Sequence, residues 1–99
     1  MSLGSDAMGL LEVHGLAAAV GAVDAMAKAA PIRVVVPQRI GDGLVTLVAQ
    51  GDIASVREAV EAGAERAAQI GRVVARHVIG RPSPELALIF GFATPPGLP

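Results

Sequence analysis

The sequence contains no cysteine, tryptophan or tyrosine, and its aromatic residues are Phe90 and Phe92 alone. Without cysteine there are no disulfides, no thiolate nucleophile and no thiolate metal site, a composition that suits a reducing cytosol. With two aromatics, both near the C-terminus, there is no platform on which bases could stack. Charge of one sign is missing too. The formal net charge is −1, so no basic field draws nucleic acid or an anionic membrane surface. Long hydrophobic runs are also absent. The most apolar stretch, Leu16 to Ala30, is interrupted by Asp24 and Lys28 and falls short of the ~20 residues that span a bilayer. The first residues carry no basic segment followed by an apolar one, so a secretory signal is not expected. Two histidines, His14 and His77, lie far apart with no cluster of ligands around them, and no metal or other cofactor is implied.

What is present is small and apolar. Hydrophobic residues make up 53% of the 99, nearly all Ala, Val, Leu and Ile, which suit thin layers and close backbone approach. One domain fits this length and a second core does not. So much apolar surface on a short chain predicts that part of it is covered by copies of itself.

Along the chain, Met8 to Val13 reads as a buried strand, broken by Gly15. Leu16 to Ala30 reads as a helix whose inward face is Leu16, Ala19, Val20, Val23, Ala27 and Ala30, with Asp24 and Lys28 as an i,i+4 pair. Pro31 ends it. Ile32 to Val36 is rich in β-branched residues and reads as a strand, closed by Pro37. Gly41-Asp42-Gly43 is a turn signal before a strand over Leu44 to Ala49. Asp52 is placed to cap a helix with Ile53, Val56, Val60, Ala64 and Ala67 on its apolar face and Arg57 and Glu61 paired on the other. Gly71 sits where a left-handed C-terminal glycine is expected. Val73 to Ile79 forms a fourth strand, residues 80–84 a break, Glu85 to Phe90 a short helix, and 93–99 a disordered, proline-rich tail. The predicted fold is α+β: a ferredoxin-like split β-α-β arrangement in the order β-α-β-β-α-β, both helices on one side of an antiparallel sheet, with a short C-terminal helix. Residues 1–7 are expected to be a flexible or appended leader, 8–84 the domain, and 85–99 the short helix and tail.

Several segments, taken together, resemble the bacterial microcompartment domain family, in its hexamer-forming single-domain type. They are Gly9 to Leu16 (GLLEVHGL), Asp24 to Ala30 (DAMAKAA), Ile40 to Thr46 (IGDGLVT), Gly51 to Val56 (GDIASV), Ala59 to Gly63 (AVEAG) and His77 to Pro82 (HVIGRP). They occur in the family's order over roughly Met8 to Pro84, without a large insertion. The resemblance implies a structural shell protein and not an enzyme. It implies a cyclic homohexamer that tiles edge to edge with other shell hexamers in the bacterial cytoplasm, passes small metabolites through a central pore and encloses a set of enzymes.

The resemblance also assigns roles. Gly41, Asp42 and Gly43 would line the pore, with Arg39 close enough in sequence to pair with Asp42. Where the family usually has a small hydroxyl residue this chain has Asp42, which would set a ring of carboxylates at the constriction. Lys28 and Arg81 would lie at the contact between hexamers. The edge motif departs from the family's pattern, with Gly80 for a common proline and Ser83 for a common histidine. Each residue also has a plainer reading. Asp-Gly is a favoured turn whatever its surroundings. Lys28 completes an i,i+4 pair, Arg81 is a loop arginine, and Glu58, Glu61 and Glu65 are a solvated helix face. Leu86, Leu88, Ile89, Phe90 and Phe92 read as a terminal helix packed on its own domain or as a docking surface. An acidic pore suits cations and polar neutral solutes better than anions such as bicarbonate, which favours a catabolic shell over a carbon-fixing one. The competing function is a trimeric regulatory protein of the same fold that binds a small ligand between subunits. It requires a mobile loop or a convergent polar pocket. No convergent set of catalytic groups is visible.

Overall fold

The computed structural model describes residues 6–36 and 41–90. In chain order the elements are β1 (Ala7–His14), α1 (Leu16–Ala29), β2 (Arg33–Val35), β3 (Leu44–Gly51), α2 (Ile53–Ile70), β4 (Arg72–Ile79) and α3 (Pro84–Ile89). The strands form one antiparallel sheet in the order β2-β3-β1-β4. The expected fold class is therefore the observed one. β1 begins one residue earlier than expected, at the fully buried Ala7.

Alternation along the central strands assigns their two faces. Leu11 and Val13 of β1 pair with Leu47 and Val45 of β3, and all four join Ala18, Ala19, Ala22, Met26, Ala59, Ala64 and Ala67 of the helices in one buried cluster. Both long helices therefore cover the same side of the sheet. The opposite side carries Met8 and Val48, over which Leu86 of α3 and Phe90 just after it pack, and farther along it Thr46 Oγ1 donates to Glu12 Oε2 at 3.2 Å. Burying Leu11 and Met26 contributes about 1.5–3 kcal/mol each, within a total stability that for such domains is about 5–15 kcal/mol.

α2 has the expected inward face except for Ile53, which is exposed; Val56, Val60, Ala64 and Ala67 are buried. The expected face of α1 is right at Ala19 and Ala30, which are buried, and at Val23, which packs against the core, and wrong at Leu16, Val20 and Ala27, which are exposed. Ala18, Ala19, Ala22 and Met26 point inward, whereas Leu16 and Val20 are 53% and 64% exposed. From residue 16 to 23 every α1 position is apolar or glycine, so spacing has no polar reference to select a face. Packing selects the small side chains instead, because alanine allows α1 to lie close to the sheet and to α2. At that crossing a β-carbon on Gly63 would stand 2.6 Å from Met26 Cγ and 3.0 Å from Leu11 Cδ2.

Asp52 caps α2 as expected. Its Oδ1 accepts from the Ser55 backbone N–H at 3.0 Å, and its Oδ2 accepts from Ser55 Oγ at 2.7 Å. These bonds hold the Asp52 carboxyl below its ordinary value of 3.8. A depressed folded-state value means that the cap's contribution is complete above pH 3.8 and is lost as the pH falls through the lower value in the folded protein. Asp52→Ala should therefore lower the thermal midpoint at pH 7. The gap from the parent protein should close as the pH is taken well below 3.8. A gap that persists in acid would show that the carboxylate is not its source.

Candidate functional site

The turn between β2 and β3 is the part of the domain with the most unusual backbone. Leu44 N–H donates to the Gly41 carbonyl at 3.1 Å, closing a turn in which Asp42 and Gly43 are the two central residues. Both have positive φ, 56° and 76°, as a type I′ turn requires. Asp42 is the one non-glycine residue with positive φ among the described residues. Aspartate tolerates that region better than most side chains. Asp42 and Gly41 are exposed, so the carboxylate stands at the tip of the turn. Arg39, the expected partner of Asp42, lies outside the described residues.

The turn is anchored to the start of α1. Gly15 N–H donates to the Gly43 carbonyl at 2.7 Å, and Gly15 has a φ of 110°. A β-carbon on Gly43 would stand 3.3 Å from His14 Nε2 and 3.5 Å from His14 Cε1. The imidazole therefore lies against the Asp42-Gly43 turn. The sequence marks His14 only as a histidine without a ligand cluster, because nothing in the order of residues says that the end of β1 meets this hairpin. The available signal was indirect: antiparallel pairing of β1 with β3 sets His14 opposite Leu44, the first residue after the turn.

The two expected edge residues are both on the surface. Lys28 Nζ lies 2.9 Å from Asp24 Oδ2 within α1, and the pair is mostly solvent-exposed. Such a pair contributes a few tenths of a kcal/mol, far too little to specify the fold. Arg81 is exposed in the turn that follows β4. Neither is brought to the Asp42 turn by any contact within one copy of the chain.

No group of three or more His, Cys, Asp or Glu side chains converges as a metal site among the described residues. A groove of about 510 Å³ runs between α2 and the edge strand β4, lined by Arg57, Val60, Glu61, Arg76, His77 and Val78. It mixes both charges with apolar wall and lies at an edge strand. β4 carries a bulge there: Ala75 stands opposite Glu12 and Val73 opposite Val13, leaving Val74 unpaired and 46% exposed. Of the C-terminal apolar residues, Leu86 and Phe90 pack on the sheet, Leu88 and Ile89 are exposed, and Phe92 lies outside the described residues. No helix among the described residues is long and apolar enough to cross a membrane.

The class this architecture defines is a two-layer α+β domain that presents an exposed carboxylate on a glycine-flanked hairpin. The BMC domain model matches residues 7–82. The chain belongs to the BMC domain family. It is 49% identical over 89 residues to the bacterial microcompartment shell protein EutK of Salmonella typhimurium, covering 89% of this chain and 54% of that protein. Against the bacterial microcompartment shell protein PduA of Citrobacter freundii it is 44% identical, covering 85% of this chain and 90% of PduA. Against the carboxysome shell protein CsoS1C of Hydrogenovibrio crunogenus it is 40% identical, covering 90% of each. A solved microcompartment protein from Desulfitobacterium hafniense superposes with a TM-score of 0.80 at 30% identity, covering 94% of this chain and 51% of that one. The chain thus spans about half the length of EutK and of that solved protein.

Proposed function

We propose that the chain is a structural shell subunit and not an enzyme: six copies close around an axis, and the hexamers tile edge to edge into a microcompartment shell in the bacterial cytoplasm. The observation that carries the pore is Asp42, an exposed carboxylate at the tip of a turn whose flanking glycines leave the backbone free to approach a symmetry axis. Around that axis the six carboxylates form an acidic constriction. Two such charges about 10 Å apart in water repel by roughly 0.4 kcal/mol before screening, so each pair is a mild effect. Summed around a narrow ring they favour cations and polar neutral solutes over anions. A small amine-bearing metabolite fits that preference. Lys28 and Arg81 serve the contacts between hexamers, and the exposed Leu16, Val20, Ile70 and Val74 are apolar surface that assembly can cover.

The test has two stages. Solution mass at low concentration should give a hexamer, and negative-stain microscopy of concentrated protein should give flat sheets or tubes. A stable monomer or trimer without higher assembly would remove the shell role. Asp42→Ser should then lower the permeation of cations relative to anions through the hexamer by several-fold. An unchanged ratio would show that the carboxylates do not select.

A further inference from the structure

We propose that α3 docks in the groove between α2 and β4 of a second copy, so that each subunit of the ring holds the next by its C-terminal helix. This inference rests on the hexamer reading above and adds a contact by which neighbours recognise each other. α3 has two working sides. Leu86, with Phe90 just after the helix, packs inward on Met8 and Val48. Glu85, Leu88 and Ile89, spaced by three and four residues, share another side. All three are exposed, Ile89 at 72%. Two aliphatic side chains beside a carboxylate, on so short a helix, form a surface suited to a partner that is apolar in the middle and positive at the rim.

The groove has that character. Val60 and Val78 give it apolar wall, and the exposed Ile53 extends it, one helical turn before Arg57 and beside Gly80 at the end of β4. Its charged side chains are Arg57, Arg76 and Glu61, an excess of positive charge. The ion pair formed among the described residues is Lys28 with Asp24, so neither arginine is matched to a carboxylate within one copy. A helix face that brings Leu88 and Ile89 to the valines and Glu85 to a guanidinium satisfies both needs at once.

The two surfaces also stand where a ring requires them. A ring joins two different patches head to tail. Rotation about its axis leaves the distance of each patch from that axis unchanged, so patches that meet must be equally far out. The Asp42 turn marks the axial end of the sheet, beside His14 and Leu44. α3 lies at the other end, over Met8, and the groove reaches that same end, where Val78 and Ile79 of β4 stand opposite Gly9 and Met8. Yet they face apart, α3 on the sheet side away from α2 and the groove beside α2 itself. The helix of one copy therefore meets the groove of the next and not its own.

The experiment follows dissociation of the hexamer on dilution by sedimentation velocity, in urea set so that the parent chain dissociates within the measurable range. The proteins are the parent, Ile89→Asp, Glu85→Lys, the double variant Arg57→Glu/Arg76→Glu, and the triple variant that adds Glu85→Lys to it. All four positions are exposed within one copy, so each variant should keep the parent's circular dichroism. Ile89→Asp, Glu85→Lys and the double variant should each raise the concentration of half-dissociation about tenfold or more. The triple variant, with both charges exchanged, should recover most of the loss, which residues important only to their own copy would not do. Unchanged dissociation in Ile89→Asp and Glu85→Lys overturns the inference and leaves the hexamer standing. So do losses that the triple variant fails to recover. A parent chain that forms no hexamer at any concentration, with or without urea, removes the hexamer reading and this inference with it.

Discussion

In the proposed assembly, Lys28→Asp should leave the hexamer's solution mass unchanged and abolish the sheets expected of the parent protein at high concentration. Within one copy the change is small. Lys28 is 75% exposed, and its recorded partner is Asp24 in its own helix at 2.9 Å. Reversing the charge replaces an attractive i,i+4 pair with a repulsive one, a difference of a few tenths to about 1 kcal/mol. Between hexamers the change is large. Like charges juxtaposed at an interface cost several kcal/mol, and a tiling hexamer repeats that contact along every edge. A loss that is tolerable once becomes prohibitive when each subunit must bear it. Lys28→Ala removes the attraction without adding repulsion and should also lose the sheets. The plain alternative is that Lys28 serves only as the partner of Asp24. In that case Asp24→Ala and Lys28→Ala should behave alike, each losing a few tenths of a kcal/mol and each still forming sheets. Sheets made by Lys28→Asp, seen by negative stain at the parent's concentration, would reject the edge role.

The fold was legible because its elements announce themselves by different means. β1 is a short apolar run broken by Gly15 and β3 follows the Gly41-Asp42-Gly43 turn signal, so both could be read as strands. Asp52 marks a helix start, and Pro31 marks a helix end. α2 carries polar residues on one side, and so the buried positions Val56, Val60, Ala64 and Ala67 could be read from spacing. α1 lacks that contrast. Its first eight residues are all apolar or glycine, and periodicity selected Leu16 and Val20 where packing selects Ala18 and Ala22. The general physical point is that a hydrophobic pattern identifies a face only against a polar background. In an alanine-rich helix side-chain size takes over, and size is judged by neighbours the sequence does not name. The outward position of Leu16 and Val20 agrees with the expectation from composition that apolar surface would be left for other copies to cover.

The Asp42 turn was legible as a turn, since Asp-Gly with a preceding glycine has few other uses. Its surroundings were not. The contact of His14 with Gly43 depends on where β1 ends relative to β3, and one residue of register would carry the imidazole to the other face of the sheet. Lys28 and Arg81 could be proposed from resemblance alone, because the forces that would make them matter act between copies.

Gly71 shows the same division and leads to a strong stability effect. Its place after α2 suggested a glycine needed for left-handed backbone. The observed φ is −142°, and its N–H makes an ordinary bond to the Ala67 carbonyl at 2.8 Å. The reason for glycine is space. A β-carbon there would stand 2.6 Å from the His14 carbonyl oxygen and 2.9 Å from Ala18 Cβ. The first obstacle is backbone at the end of β1, and the second is a buried alanine in the first turn of α1, so neither can rotate away. Gly71→Ala must therefore push β4 from β1 or lift α1. Overpacking of this kind costs about 1–3 kcal/mol, which for a domain of this size lowers the thermal midpoint by roughly 5–20 °C. Gly71→Asn discriminates between the two accounts. Asparagine would largely rescue a left-handed cap, but against a carbonyl at 2.6 Å it should be no better than alanine. Adding Ala18→Gly to Gly71→Ala should restore part of the loss and not all of it, because the His14 oxygen remains. Calorimetry on these variants would settle the matter: a Gly71→Ala midpoint within a degree or two of the parent would mean that the joint between β1, α1 and β4 yields freely. The steric account of Gly71 would then fail, and the rigid seating of His14 against the Asp42 turn would lose its support from below.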